Sequence, residues 1–111
     1  MLLKNVLTNI ETIETKGNLD IDVTNISSDS RLIKENGFFF AITGYKLKGT
    51  DFIESAIKNG ATAIAVESDV DLDSLNYENI TFIKLDNIRR NLALCSCNLY
   101  DNPSRKLKII G

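Results

Sequence analysis

The stretch Gly37-Phe38-Phe39-Phe40-Ala41-Ile42-Thr43-Gly44 decides the fold, together with the second apolar run Ala61-Thr62-Ala63-Ile64-Ala65-Val66. The run from Phe38 to Ile42 is short, continuous and bounded by Gly, the pattern of a strand buried on both faces. Helix signals fill the interval between the two runs. Thr50 or Asp51 is placed to cap, and Glu54 follows Asp51 at capping-box spacing. Phe52, Ile53, Ala56 and Ile57 make one apolar face, Lys58 falls in the last turn, and Gly60 suits the left-handed position after a helix. Strand, helix and strand in this order predict a parallel pair joined by a crossover helix.

Toward the N-terminus, Leu3, Val6, Leu7 and Ile10 have helical spacing and predict a short amphipathic helix over residues 2–10. Lys16-Gly17-Asn18 reads as a turn. Ile21, Val23 and Ile26 predict a strand running into Ser27-Ser28, and Lys34-Glu35-Asn36-Gly37 reads as the next turn. Toward the C-terminus, residues 67–79 carry Asp69, Asp71, Asp73 and Glu78 and read as a solvated acidic loop. Residues 80–85 predict another strand. Asp86 is placed to cap a helix whose Ile88, Leu92, Cys95 and Leu99 share one face. Asn102-Pro103-Ser104 breaks that helix, and Leu107-Lys108-Ile109-Ile110 begins a further strand that closes on Gly111. A strand closing on Gly is how a nucleotide-binding βα unit begins, or it is an ordinary edge strand. The expected fold class is α/β: a small mixed, partly parallel sheet flanked by helices, in one domain over residues 1–111.

Composition narrows the function. The 111 residues are 43% apolar and 25% charged, ordinary for a globular chain. Thirteen basic against fifteen acidic residues give a net charge of -2, which argues against a non-specific nucleic-acid binder. No apolar run has the length of a membrane span. Met1-Leu2-Leu3 is followed by Lys4, Glu11 and Glu14, too short an apolar run for a signal peptide, so a cytoplasmic protein is expected. The chain has no His, which removes a His base, a His metal ligand and every Ser-His or Cys-His nucleophile pair. Cys95 and Cys97, two apart on a helix, point to different sides and suit neither a mutual disulfide nor a metal clip. Gly37, Gly44, Gly49 and Gly60 are isolated turn formers, not a phosphate loop. No catalytic residues and no metal ligands are expected in this chain.

A binding constellation remains. Ser28 and Ser30 offer hydroxyls that both donate and accept, suited to the edge of a uracil-like ring or to a phosphate oxygen. Arg31 either grips a diphosphate or pairs with Asp29 within the domain. Thr43-Gly44-Tyr45-Lys46-Leu47 follows the buried strand, where open α/β sheets place ligands. Gly44 lets a ligand approach the backbone, and Tyr45 adds a ring and a hydroxyl. Each loop also reads as ordinary surface: Asp29–Arg31 as a structural ion pair, Tyr45-Lys46 as an exposed loop.

In these residues the chain resembles the N-terminal domain of MurE-type Mur ligases. The resemblance rests on Asp29-Ser30-Arg31, Gly37, Phe38 to Ala41, Gly44, Lys48-Gly49, Phe52-Ile53, Ala56, Gly60-Ala61 and the tail Tyr100-Asp101-Asn102-Pro103-Ser104 to Ile110-Gly111. It spans essentially the whole chain through the order and spacing of its parts. It implies an ATP-dependent ligase that adds the third amino acid to UDP-N-acetylmuramoyl-L-alanyl-D-glutamate in peptidoglycan synthesis. Ser28, Ser30, Tyr45, Lys46 and Leu47 would contact the UDP part, with Asp29, Arg31, Thr43 and Gly44 in support. ATP, magnesium and the amino-acid pocket would belong to the central and C-terminal domains of a monomeric enzyme, with no nucleic acid and no membrane as partner. The chain by itself would bind weakly and catalyse nothing. It departs from the family at Lys48, where Asp is usual. Lys48 either adds attraction for a diphosphate or replaces a turn residue. Two other readings stand beside this one: the first domain of a MurF-type ligase, and a stand-alone α/β binding module.

Overall fold

The computed structural model of the chain describes residues 1–44 and 48–100. In order it contains helix α1 (Leu3–Val6), strands β1 (Thr12–Lys16), β2 (Asn25–Ser27) and β3 (Gly37–Phe40), helix α2 (Ile53–Lys58), strands β4 (Ala61–Glu67) and β5 (Thr81–Leu85), and helix α3 (Ile88–Tyr100). Short 3₁₀ turns occupy Ser30–Leu32, Gly49–Phe52 and Leu72–Ser74. The strands form one sheet in the order β1-β5-β4-β3-β2. β2, β3, β4 and β5 run parallel, and β1 pairs antiparallel with β5 along the edge. This is the mixed, partly parallel α/β sheet expected from the sequence, and the β3–α2–β4 crossover lies where the apolar pattern puts it.

Alternation along the buried strands builds two cores. Phe38 and Phe40 point to one face with Ala63, Ala65, Ile83 and Leu85, where α1 and α3 cover them with Leu3, Val6, Ile88 and Cys95. Phe39 points to the other face with Ile64, Val66 and Phe82, beneath Ile53 and Ala56 of α2 and Leu72. All four residues of β3 are buried. The Phe38 and Phe40 rings meet at a centroid distance of 4.6 Å and an interplanar angle of 44°.

Several local expectations are corrected. β1 has no counterpart in the sequence reading: its burial is slight, its one large apolar residue Ile13 is 53% exposed, and hydrogen bonding to β5 holds it. The strand expected from Ile21 is confined to β2. Val23 instead donates its N–H to the Met1 carbonyl (2.7 Å), and Asp22 bridges Leu2. The N-terminal helix is a single turn. Neither Thr50 nor Asp51 caps α2, because the chain already winds through Gly49–Phe52 and Phe52 takes the cap position with no side-chain bond. At α3, Asn87 does the work expected of Asp86: its Oδ1 accepts from the Arg90 N–H at 3.4 Å, while Asp86 accepts from the Asn87 N–H. The acidic loop is not all solvated. Leu72 is buried within it, and Lys16 Nζ donates to the Leu72 and Leu75 carbonyls at 3.2 Å each. The strand expected at 107–110 lies outside the described residues.

Cys95 is buried and Cys97 exposed, as two positions on different sides of a helix require. Burial pushes the Cys95 thiol up to about 12. An alkylating reagent at neutral pH should therefore modify Cys97 alone in the folded chain, and Cys95 only after denaturant is added. Equal rates at both thiols, read by mass spectrometry, would contradict this packing.

Candidate functional site

β2 and β3 are parallel neighbours, in register at Ser27 and Phe39. Their following loops therefore leave the same C-terminal edge of the sheet. Ser28 and the turn Ser30–Leu32 follow β2, while Thr43 and Gly44 follow β3 and are exposed. Tyr45, Lys46 and Leu47 lie outside the described residues.

The loop after β2 is shaped by its own side chains. Ser27 Oγ accepts from the Asp29 N–H at 2.9 Å. Asp29 Oδ1 then caps the turn by accepting from the Arg31 N–H at 2.9 Å. Asp29 also takes Arg31 in a two-pronged pair, Nε to Oδ1 at 3.0 Å and Nη2 to Oδ2 at 2.9 Å. Arg31's side-chain and backbone hydrogen bonds hold the Asp29 carboxyl below its ordinary value, and Asp29 raises Arg31 in return. The pair is a surface one, with the Arg31 side chain 87% exposed, so its effect on stability is small. Its effect on geometry is larger. Two of the five guanidinium N–H donors are committed to Asp29, and the fork is aimed by them.

From below, α2 steadies the same loop. Asn59 at its end donates from Nδ2 to the Ser30 carbonyl at 2.7 Å. Gly60, at φ 117°, lets the chain pass directly under Glu35, and its carbonyl accepts from the Gly37 N–H at 3.4 Å. Asn25 closes the other side, accepting from the Lys34 N–H and donating to the Glu35 carbonyl.

These contacts frame a cleft of about 520 Å³ lined by Ser28, Asp29, Ser30, Arg31 and Phe52. That size suits a nucleotide-scale ligand. Ser30 is nearly buried at 6% exposure. A second cleft on the same edge, about 230 Å³, lies at the ends of β4 and β5 between Glu67, Ser68 and the start of α3. It is less than half the volume and has no aromatic wall. Glu67 is engaged there by the Thr43 N–H, which donates to its Oε2 at 2.9 Å. Among the described residues no group of three or more His, Cys, Asp or Glu is arranged to hold a metal ion.

The structure thus brings Ser28, Asp29, Ser30 and Arg31 around one cleft and sets Thr43 and Gly44 on the same edge. It resolves the Arg31 alternatives by showing the pair with Asp29, and that pair still leaves donors for an anion. Lys48 begins the turn before α2 with its backbone, its carbonyl accepting from the Asp51 N–H at 3.0 Å and its side chain making no cap. Ser27, Asn59 and Phe52 were not assigned to the site from the sequence. The Ser-x-Asp spacing at Ser27 was a usable signal for a local turn; nothing local ties Asn59 or Phe52 to a loop more than twenty residues earlier.

A loop-built cleft at the C-terminal edge of a small α/β sheet, without a phosphate loop, defines a substrate-binding domain. The profile of the Mur ligase family, catalytic domain, matches residues 22–100, and the chain belongs to that family. It is 48% identical over 111 residues to a UDP-N-acetylmuramoyl-L-alanyl-D-glutamate--2,6-diaminopimelate ligase of Clostridium tetani, covering all of this chain and 23% of the relative. It is 41% identical over 98 residues to a UDP-N-acetylmuramyl-tripeptide synthetase of Borrelia garinii, covering 86% of this chain and 19% of the relative. The chain therefore spans about a quarter or less of the length of the curated relatives it matches. Among solved structures, MurF from Acinetobacter baumannii shares the fold at a TM-score of 0.66 and 13% identity, over 87% of this chain and 20% of that one. MurF ligase from Thermotoga maritima in complex with ADP matches at 0.52 and 26%, over 67% of this chain and 16% of that one.

Proposed function

We propose that this chain is the N-terminal, substrate-binding part of an ATP-dependent MurE-type ligase, which adds the third amino acid to UDP-N-acetylmuramoyl-L-alanyl-D-glutamate in peptidoglycan synthesis. The observation that carries the reading is the coincidence of the family match over residues 22–100 with a nucleotide-sized cleft framed by Ser28, Asp29, Ser30 and Arg31. In this reading the cleft holds the UDP part of the substrate, and Thr43, Gly44, Tyr45, Lys46 and Leu47 complete the site from the loop after β3. ATP, magnesium and amide-bond formation belong to the rest of an enzyme of the relatives' length, working as a monomer in the cytoplasm. The MurF structures support the fold at low identity, and the nearer sequence likeness to tripeptide-forming ligases favours MurE-type chemistry.

Titration of UDP against this chain, followed by NMR, tests the reading. Shifts confined to Ser28–Arg31 and to residues 43–47 support it. No shift at millimolar UDP, with the fold intact, counts against it and favours a stand-alone binding module. Ser30→Ala in the full-length ligase should weaken affinity for the UDP substrate by about 1–2 kcal/mol, the effect of one buried hydrogen bond, with kcat little changed. An unchanged KM would remove Ser30 from the contact set.

A further inference from the structure

We infer that Phe52 is the stacking platform for the base of the bound nucleotide, so that the base lies at the α2 end of the cleft and the diphosphate at the Arg31 end. The inference rests on the UDP-binding reading above and assigns the two ends of that site. Of the five residues lining the cleft, four are polar or charged, and Phe52 supplies the one aromatic surface.

Its position suits the task. Phe52 takes the cap position of α2 and is packed against the core cluster that contains Ile53, Phe39 and Ile33. It is half-buried. The ring therefore has core on one side and the cleft on another, and it is held before a ligand arrives, which spares the ordering cost of a mobile aromatic. A flat ring presented this way stacks on a base without reading its edge. Edge recognition is left to the Ser28 and Ser30 hydroxyls, which border the same cleft and can match both the donors and the acceptors of a pyrimidine.

At the opposite pole, the Arg31 guanidinium is already turned by Asp29, and three of its N–H donors remain after that pair. A dianionic diphosphate placed there meets a positive fork, while placed against Phe52 it would meet an apolar ring. The cleft thus has an apolar pole and a cationic pole with hydroxyls between them, which is the order of groups along a nucleoside diphosphate.

Uridine and inorganic pyrophosphate separate the two ends. In NMR titrations of this chain, uridine should move the Phe52 ring protons and the Phe52 and Ile53 amides, while pyrophosphate should move Arg31 and leave Phe52 in place. Phe52→Leu, which keeps apolar bulk without a π-face, should weaken UDP binding by about tenfold, and Phe52→Tyr should restore it. The sequence contains no Trp, so Phe52→Trp adds a single indole whose fluorescence uridine should quench. If UDP binds the wild type and the Leu variant equally, or if pyrophosphate and not uridine perturbs Phe52, the platform assignment is overturned while the UDP reading stands. If UDP leaves the folded wild-type chain unperturbed, both fall.

Discussion

Phe38→Ala is expected to cost about 3–5 kcal/mol of folding stability, the range for emptying a buried Phe site. Phe38 is fully buried in the middle of the sheet, between two parallel neighbours, and its ring packs on Phe40 under α1 and α3. Strand β3 is hydrogen-bonded on both sides, so the backbone cannot collapse into the space the ring leaves. Domains of this size have only about 5–15 kcal/mol in total. The variant should therefore be partly unfolded near physiological temperature, or melt at a much lower urea midpoint with the same m-value. A midpoint within a few tenths molar of wild type would show that this face of the sheet is not the main core.

Gly60→Val is expected to be comparably severe for a different reason. Gly60 has φ 117°, a conformation that L side chains rarely adopt. An added Cβ would lie 2.6 Å from Glu35 Cα, 2.7 Å from Glu35 N and 2.9 Å from Lys34 C. All three are backbone atoms, so no rotamer change relieves the contact. We expect a loss of at least about 2–3 kcal/mol from the strained dihedral and the displaced turn together. The consequence reaches the site, because the Glu35 carbonyl takes hydrogen bonds from Thr24 Oγ1 (2.7 Å) and Asn25 Nδ2 (3.2 Å). Moving Glu35 loosens the segment that begins at Ser30. Thermal melts should show the stability loss, and UDP binding measured well below the melting temperature should also weaken. Wild-type melting would mean that α2 and the turn at Glu35 are further apart than described.

The two variants mark what kind of information each level holds. Phe38 was legible as core because a continuous apolar run bounded by Gly has few other uses, and parallel strands must be covered on both faces. The crossover α2 was legible for the same reason, since its apolar positions repeat at helical spacing. β1 was not legible. Its Thr-Ile-Glu-Thr-Lys sequence buries little, and an edge strand is held by backbone bonds to a partner nearly seventy residues away, which no local pattern encodes. The caps failed for a related reason. Asp51 and Asp86 have the right chemistry, but the chain reaches helical geometry at Phe52 and Asn87 instead.

In the site the division is similar. Ser28, Asp29, Ser30 and Arg31 stood out because hydroxyls and charge beside a buried strand have to face solvent or a ligand. Whether Arg31 was committed to Asp29 depended on a turn that Ser27 and Asp29 build together. Phe52 read as one more apolar helix residue, and only the packing of α2 against the loop after β2 opens part of its ring to the cleft.

The sequence by itself determined the parallel β3–α2–β4 unit, the two-faced core and the edge at which polar loops gather, because periodicity and burial are local consequences of residue type. The tertiary structure decided the antiparallel edge strand, the clamp of Asn59 and Gly60 on the loop, and the aromatic wall of the cleft. Those depend on which distant segments touch, and contact between segments is fixed by the packing of the whole chain.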